Sequence, residues 1–509
     1  MQFIDSLLDM KLQSTALDDR ATEDLAQRCL AKFDDAQADA GCRAASLYTI
    51  LAQIRAGNTS MLVHVPDLCQ RLRSSSVLTQ PISGAAAEED LHRQIVNAIS
   101  AVLDVSPDKL VDESFGPAMH YLVQLVSCDH VEVATMACKF WAKYAGISAN
   151  TTIRKHWLGL LFPEMSLLIK ALMDRMIYRP GYVEHVHKFG SNADESLPDD
   201  VERLVNVRNV AAVAFEHVVR VYPADLVCAT FRPLLEARVE SGSWSEKEAA
   251  ILALAAFTQG AGTPDAMRDA YSSVVPRVLD CYSDPNPFLR GVACLTMPKL
   301  VGRRLYGVKD PWSRVLTSTA RATRDSSAEV RRTAMHALSA LLAHGTPSVA
   351  AARQSAGIGG HTARLVDALV RAEKYGMDAE TRRVYFDCVS HLVGRAADSL
   401  TTEDMNALLP PLIDAWKSQS SDHRTTDAAS KKTAASCLDP DLGLVPFSVA
   451  LGNVATYGKS LYAPFAESVF EKACTDIKGC VFANHRIFLC STDSDNNCTA
   501  GSIIDRRRT

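Results

Sequence analysis

One motif occurs twice in this chain, and its spacing restricts the fold more than any other feature. "SDPNPFLRGVACLTMPKLV", Ser283 to Val301, returns in altered form as "RDSSAEVRRTAMHALSALL", Arg324 to Leu342. Asp284 and Asp325 are 41 positions apart. Each is followed by a short polar turn, an Arg, and a run of small and aliphatic residues. Upstream segments keep the interval. Val213 in "NVAAVAFEHVV", Leu252 in "EAAILALAAF", Val292 in "LRGVACLTM" and Thr333 in "VRRTAMHAL" follow one another at steps of 39, 40 and 41.

Around these centres, apolar residues recur at i, i+3, i+4 and i+7, with almost no sustained alternation of period two. "ASLYTILAQIRAG", "DLHRQIVNAISAVLDV" and "RRVYFDCVSHLVGRAA" read as amphipathic or buried helices separated by Asp, Ser, Pro and Gly. Helix pairs at a period of about 40 residues, with small residues where neighbours must approach, are the signature of HEAT or armadillo arrays. The expected fold is all-α, a HEAT-repeat solenoid forming a right-handed superhelix of antiparallel helix pairs. Such a fold yields a long groove rather than one pocket, because each repeat buries its faces only against its neighbours.

The expected organisation is as follows. Residues 1–175 hold N-terminal repeats, 176–203 an acidic interrupting loop without helical periodicity, and 204–417 the central repeats that line the groove. A polar linker spans 418–440, further HEAT-type helices 441–490, and an irregular polar tail 491–509. The chain of 509 residues is 47% hydrophobic and 22% charged, enough to bury a sizeable core. Its net charge of −5 argues against a general nucleic-acid binder and suits basic partners. No run of about 18 apolar residues and no signal-like start is present, so neither membrane insertion nor standard secretion is expected. The 14 cysteines include no C-x-x-C pair. Cys138, Cys228, Cys294 and Cys388 sit in apolar helical patterns and read as small buried hydrophobes of a reducing compartment.

Catalytic signatures are scarce. "GIGGH" at Gly357–His361 follows a helix and lacks the third glycine of a dinucleotide loop. His185 and His187 form an H-x-H without a further ligand at metal-binding spacing, so a solvated loop is the expectation. Arg506–Arg508 reads as a solvated terminus. No metal, cofactor or enzymatic activity is expected. Binding of extended protein segments suits the groove: Val213 and Glu216, like Val292 and Leu295, are three apart and share a helix face. A peptide with an aromatic anchor and a nearby Arg would find apolar floors bordered by acids.

Several segments, in order, resemble the transportins, nuclear import receptors of the importin-β (karyopherin-β) family. They are "DHVEVATMACKFWAKYA", "NVRNVAAVAFEHVVRVYPADLV", "KEAAILALAAFTQG", "CYSDPNPFLRGVACLTM", "LLPPLIDAWK" and "LVPFSVALGNVATYGKSLYAPFAESVFEKA". The resemblance runs from about residue 41 to 480. It implies a receptor that holds cargo localisation signals, basic or of Pro-Tyr type, on a concave surface. Its expected partners are cargo proteins, the GTPase Ran and nucleoporins, and it would shuttle between cytoplasm and nucleus. Carried over residue by residue, the Pro-Tyr pocket falls on Val213, Leu252, Val292 and Leu295, and cargo-facing acids fall on Glu216 and Asp387.

The chain departs from the family at defined places. Leu295 replaces a pocket Trp, a loss of flat contact worth about 1–3 kcal/mol of binding. Val213 stands where the family has a smaller residue, and Ala343 where it has a further acid. The interrupting segment 176–203 corresponds to the family's much longer acidic loop, which couples Ran to cargo release. The family's N-terminal repeats, which grip Ran-GTP, would lie before Met1, so the chain is expected to be a central segment. The alternative is a HEAT scaffold for a protein complex unrelated to transport.

Overall fold

The computed structural model describes residues 19–35, 37–56, 58–79, 86–110, 115–147, 164–189, 199–261, 265–301, 311–344, 358–374, 377, 379–396 and 399–410. The expected linker, distal helices and tail from 418 onward, and the Arg506–Arg508 patch, lie outside them. Two compact units emerge, Met1–Arg277 and Val278–Thr509.

In the first unit the helices are α1 (Asp19–Asp34), α2 (Ala40–Arg55), the single turn α3 (Thr59–Leu62), α4 (Val65–Ser74), α5 (Ala86–Val105), α6 (Gly116–Ser127) and α7 (Val131–Ile147). There follow α8 (Met165–Arg175), α9 (Pro180–Phe189), α10 (Asp199–Val221), α11 (Ala224–Val239), α12 (Trp244–Ala261) and α13 (Arg268–Asp280). They form two rows. One runs α2, α5, α7, α10, α12, each helix packing on the next. The other runs α1, α4, α6, α8, α11, and each of its helices also packs on its partner in the first row. Aromatic side chains tie rows together: Phe231 of α11 stacks on Phe257 of α12 at 4.7 Å and lies 5.3 Å from Phe215 of α10. Trp141, fully buried, meets Phe140 edge-on at 5.4 Å in α7.

The second unit repeats the plan with α14 (Pro287–Val301), α15 (Pro311–Ala322), α16 (Ala328–His344), α17 (Thr362–Glu373) and α18 (Ala379–Ala396). Helices α14, α16 and α18 form one row, α15 and α17 the other.

The duplicated motif now has a physical meaning. Asp284 accepts the Asn286 amide at 2.8 Å, and Asn286 in turn accepts the Phe288 amide at 2.9 Å, capping α14 with Pro287 in its first turn. Asp325 accepts the Ser327 amide at 2.9 Å in the same way. Arg290 bonds the carbonyls of Asp284 and Pro285 in its own turn, and Arg331 does the same to Asp325 and Ser326. Arg290 then reaches forward to the next repeat, donating two bonds of 2.7 and 2.8 Å to the Asp325 carboxylate. The motif therefore caps one helix and joins successive repeats.

Other inter-repeat pairs share the interval. Arg93–Glu132 spans 39 positions, Lys143–Asp104 39, Arg208–Glu248 40 and Arg324–Asp367 43. Glu132 also receives Arg203 at 3.0 Å, so one carboxylate of α7 holds arginines from both neighbouring helices of its row.

The expectation that 176–203 is a loop is corrected for two stretches. Pro180–Phe189 is helix α9, and α10 begins at Asp199. Tyr178 and Tyr182 stack at 5.1 Å with ring planes 11° apart, and Arg208 of α10 lies 4.0 Å over the Tyr178 ring. Packing against α10 thus supports a ten-residue helix that is too short to hold by propensity alone. His185 is correspondingly buried, not solvated.

Candidate functional site

The row α10–α12 carries three of the residues assigned from sequence. Val213 is 49% exposed and helps to wall a cavity of about 600 Å³ between α7 and α10. Ala142 and Gly146 of α7 leave that space open, Val210 continues its apolar wall, and Lys139 and Lys143 border it. His217 pins the two helices together through Nδ1 to the Ala142 carbonyl oxygen, 3.0 Å away.

Glu216 follows Val213 by three positions on α10. Its carboxylate, 16% exposed, is paired with Arg220 one turn further on. Leu252 is different. It sits within Glu248–Thr258 of α12, a stretch of eleven buried residues, and is 7% exposed. "AAILALAA" has no polar stripe, and a helix apolar all round is packed on all sides.

The second unit carries the other three. On α14, Val292 is 4% exposed and faces the core, whereas Leu295 is 39% exposed. Asp387 is half-buried on α18. Burial raises its carboxyl above the ordinary Asp range, with the positive groups of His391, Arg383 and His336 only partly offsetting it. Since His336 belongs to α16, adjacent helices of one row both direct positive groups toward this acid. Ala343, at the family's further acid position, gives its carbonyl oxygen to Arg395 of α18.

Val213 and Glu216 thus share α10 in the first unit, whereas in the second unit the exposed Leu295 and the half-buried Asp387 lie on α14 and α18, with α16 between them. Leu252 and Val292 underpin the row from inside. Sequence reading missed Ala142, Gly146 and Val210, whose small or aliphatic side chains open the Val213 cavity. The signal for Ala142 and Gly146 is the run of small residues on α7; Val210, on α10, lies three positions before Val213 on the same face.

The other chemical motifs settle into structural places. Ile358–His361 forms a 3-10 turn leading into α17. Cys138, Cys228, Cys294 and Cys388 are buried. Burial pushes the thiol of Cys228 up to about 11 and those of Cys138 and Cys294 to about 12, far from thiolate reactivity. Among the described residues no group of three or more His, Cys, Asp or Glu could hold a metal ion, and no helix is long and apolar enough to cross a membrane.

No family model matches the chain. It is similar to Transportin-1 of Mus musculus, 22% identical over 421 residues covering 76% of this chain and 43% of the relative. Importin subunit beta-2 of Saccharomyces cerevisiae is 22% identical over 433 residues, covering 77% and 43%. The chain therefore spans less than half the length of these relatives. Among solved structures, importin beta in an ammonium sulfate condition superposes with a TM-score of 0.66 at 11% identity, over 91% of this chain and 52% of that one. Kap121p bound to Ste12p superposes with a TM-score of 0.60 at 13% identity, over 92% and 41%. The fold is thus the all-α HEAT solenoid of importin-β type. These relatives are transport receptors rather than enzymes, in accord with the sequence.

Proposed function

We propose that this chain, which belongs to the karyopherin-β family, binds nuclear localisation signals of cargo proteins on the α10–α12 and α14–α18 rows. The observation that carries the reading is the pairing of Val213 with Glu216 on one helix face: an exposed aliphatic wall over an open cavity, with a carboxylate one turn away. An aromatic or Pro side chain of an extended segment would enter the cavity between α7 and α10. A nearby signal Arg would take Glu216 from Arg220, an exchange of one charge-assisted bond for another. Leu295 and Asp387 offer the same two chemistries in the second unit.

The wider cycle belongs to the same reading. It comprises displacement of cargo by Ran-GTP, contact with nucleoporins, and shuttling between cytoplasm and nucleus. A scaffold role is the second reading, favoured by the burial of Leu252 and Val292 and by Leu295 in place of a flat aromatic.

The test is a titration of the full chain with a labelled basic peptide ending in Pro-Tyr, beside its Tyr→Ala form and a Glu216→Lys protein. Micromolar or tighter binding, weakened about tenfold by either change, is the expected result. Binding indifferent to both changes, or absent from a folded protein, would favour the scaffold.

A further inference from the structure

A second cavity, of about 390 Å³, lies across α2, α5 and α7 in the first unit. Its apolar lining includes Ile54, Val96, Met136 and Phe140, and Val105, 40% exposed at the end of α5, stands at its edge. Three of its six polar lining residues are basic. Arg55, Lys139 and Lys143 face one acid, Asp104, which is already paired with Lys143. Arg55 donates 3.1 Å to the neutral amide oxygen of Asn97. Lys139, exposed on α7, has no acidic partner among the described residues. Two positive charges beside an apolar floor are left without a counter-charge.

Lys139 and Lys143 also border the Val213 cavity. The two cavities are neighbours along the row α2, α5, α7, α10, with the lysines between them. Helices packed 8–10 Å apart make four such helices a trough of about 25–30 Å. Eight or nine residues of extended chain, at about 3.3 Å each, span that length.

We propose that this trough, where Lys139 and Arg55 flank the apolar floor of Ile54, Val105 and Met136, docks an acidic, apolar-anchored segment of a partner protein. The segment places aliphatic or aromatic side chains in the two cavities and a carboxylate between them, against Lys139. Its charge is opposite to that of a signal drawn to Glu216, so the two ends of the trough favour different peptides although the Val213 cavity is common to both. The inference shares the Val213 cavity with the import reading and adds the second cavity with Arg55 and Lys139, so an acidic segment and a basic signal would compete for α7 and α10.

The experiment titrates the full 509-residue chain with a fluorescein-labelled peptide of Leu, Phe and Asp residues and with its counterpart carrying Lys for each Asp. The acidic peptide is expected to bind and to lose about tenfold or more in affinity with Lys139→Glu, with Val105→Asp, and in high salt, where exposed charges are screened. Glu216→Lys is expected not to weaken binding of the acidic peptide, because it replaces a carboxylate one turn from Val213 with a positive charge. Lys139→Glu is expected not to weaken any binding of the basic counterpart. Lys139→Gln, which removes the charge without reversing it, gives a smaller loss and carries the test if the reversal disturbs folding. No binding of the acidic peptide, equal affinity for the two peptides, or indifference to both Lys139 variants would overturn the proposal.

Discussion

At the residue scale, Asp325 shows how a repeat boundary is held. Burial alone would raise its pKa. Hydrogen bonds from Arg290 and the Ser327 amide, with the charge of Arg290, outweigh burial and hold the carboxyl below the ordinary Asp value. A depressed folded pKa means that the pair's contribution is complete above the unfolded value of about 3.9 and is lost as pH falls through the folded one. With both side chains about one-eighth exposed, the bidentate pair is largely shielded from solvent. Asp325→Asn should cost about 2–3 kcal/mol at pH 7, read by urea unfolding, since it leaves a charged guanidinium with a poorer partner. The gap between variant and parent should narrow below pH 4. A gap independent of pH would mean that Asp325 acts through its turn rather than its charge. On α10, Arg220 competes with any incoming Arg for Glu216. Arg220→Gln should therefore strengthen basic-peptide binding by about twofold, the worth of a surface i,i+4 pair, in the same titration.

At the scale of the element, helix identity and repeat register were readable, but the contacts that decide individual segments were not. A Cβ on Gly260 would lie 2.4 Å from the Glu216 carbonyl oxygen and 2.5 Å from Val219 Cγ2, whereas one on Gly291 would meet nothing within 4 Å. The first glycine is there because α12 approaches the α10 backbone; the second is only a weak helix former. Gly260→Ala should destabilise by about 1–3 kcal/mol through overpacking, and Gly291→Ala should stabilise by about 0.5–1 kcal/mol, both measured by denaturant unfolding. Equal effects would remove the claim of close approach. The ~40-residue interval was plain because Asp284, Arg290, Asp325 and Arg331 repeat a turn and a bridge that recur with each unit. Helix α9 was hidden because its ten residues depend on α10 and on Tyr178, which no local pattern reveals. Leu252 and Val292 were assigned to a pocket by family position. Their burial follows from neighbours on both sides, which a single helical pattern does not show.

At the scale of the whole molecule, each unit stacks its helices in two rows, one of which carries the surface proposed for binding. The surfaces that result combine residues from several repeats: Ile54, Val105, Met136 and Val213 come from four different helices. The spacing of the repeats announces that such a surface exists, but its charge depends on which acids are already paired, as Asp104 and Glu216 are. The central claim, that extended cargo signals lie along the α10–α12 row, is tested most directly by photo-crosslinking. A basic Pro-Tyr peptide carrying a photoreactive group in place of the Tyr ring would be bound to the full chain, irradiated, and its adducts mapped by mass spectrometry. Adducts concentrated on α7 and α10 around Gly146, Val210 and Val213, and lost with Glu216→Lys, are the expected result. Adducts on α8 and α11 of the opposite row, or a pattern untouched by Glu216→Lys, would contradict it.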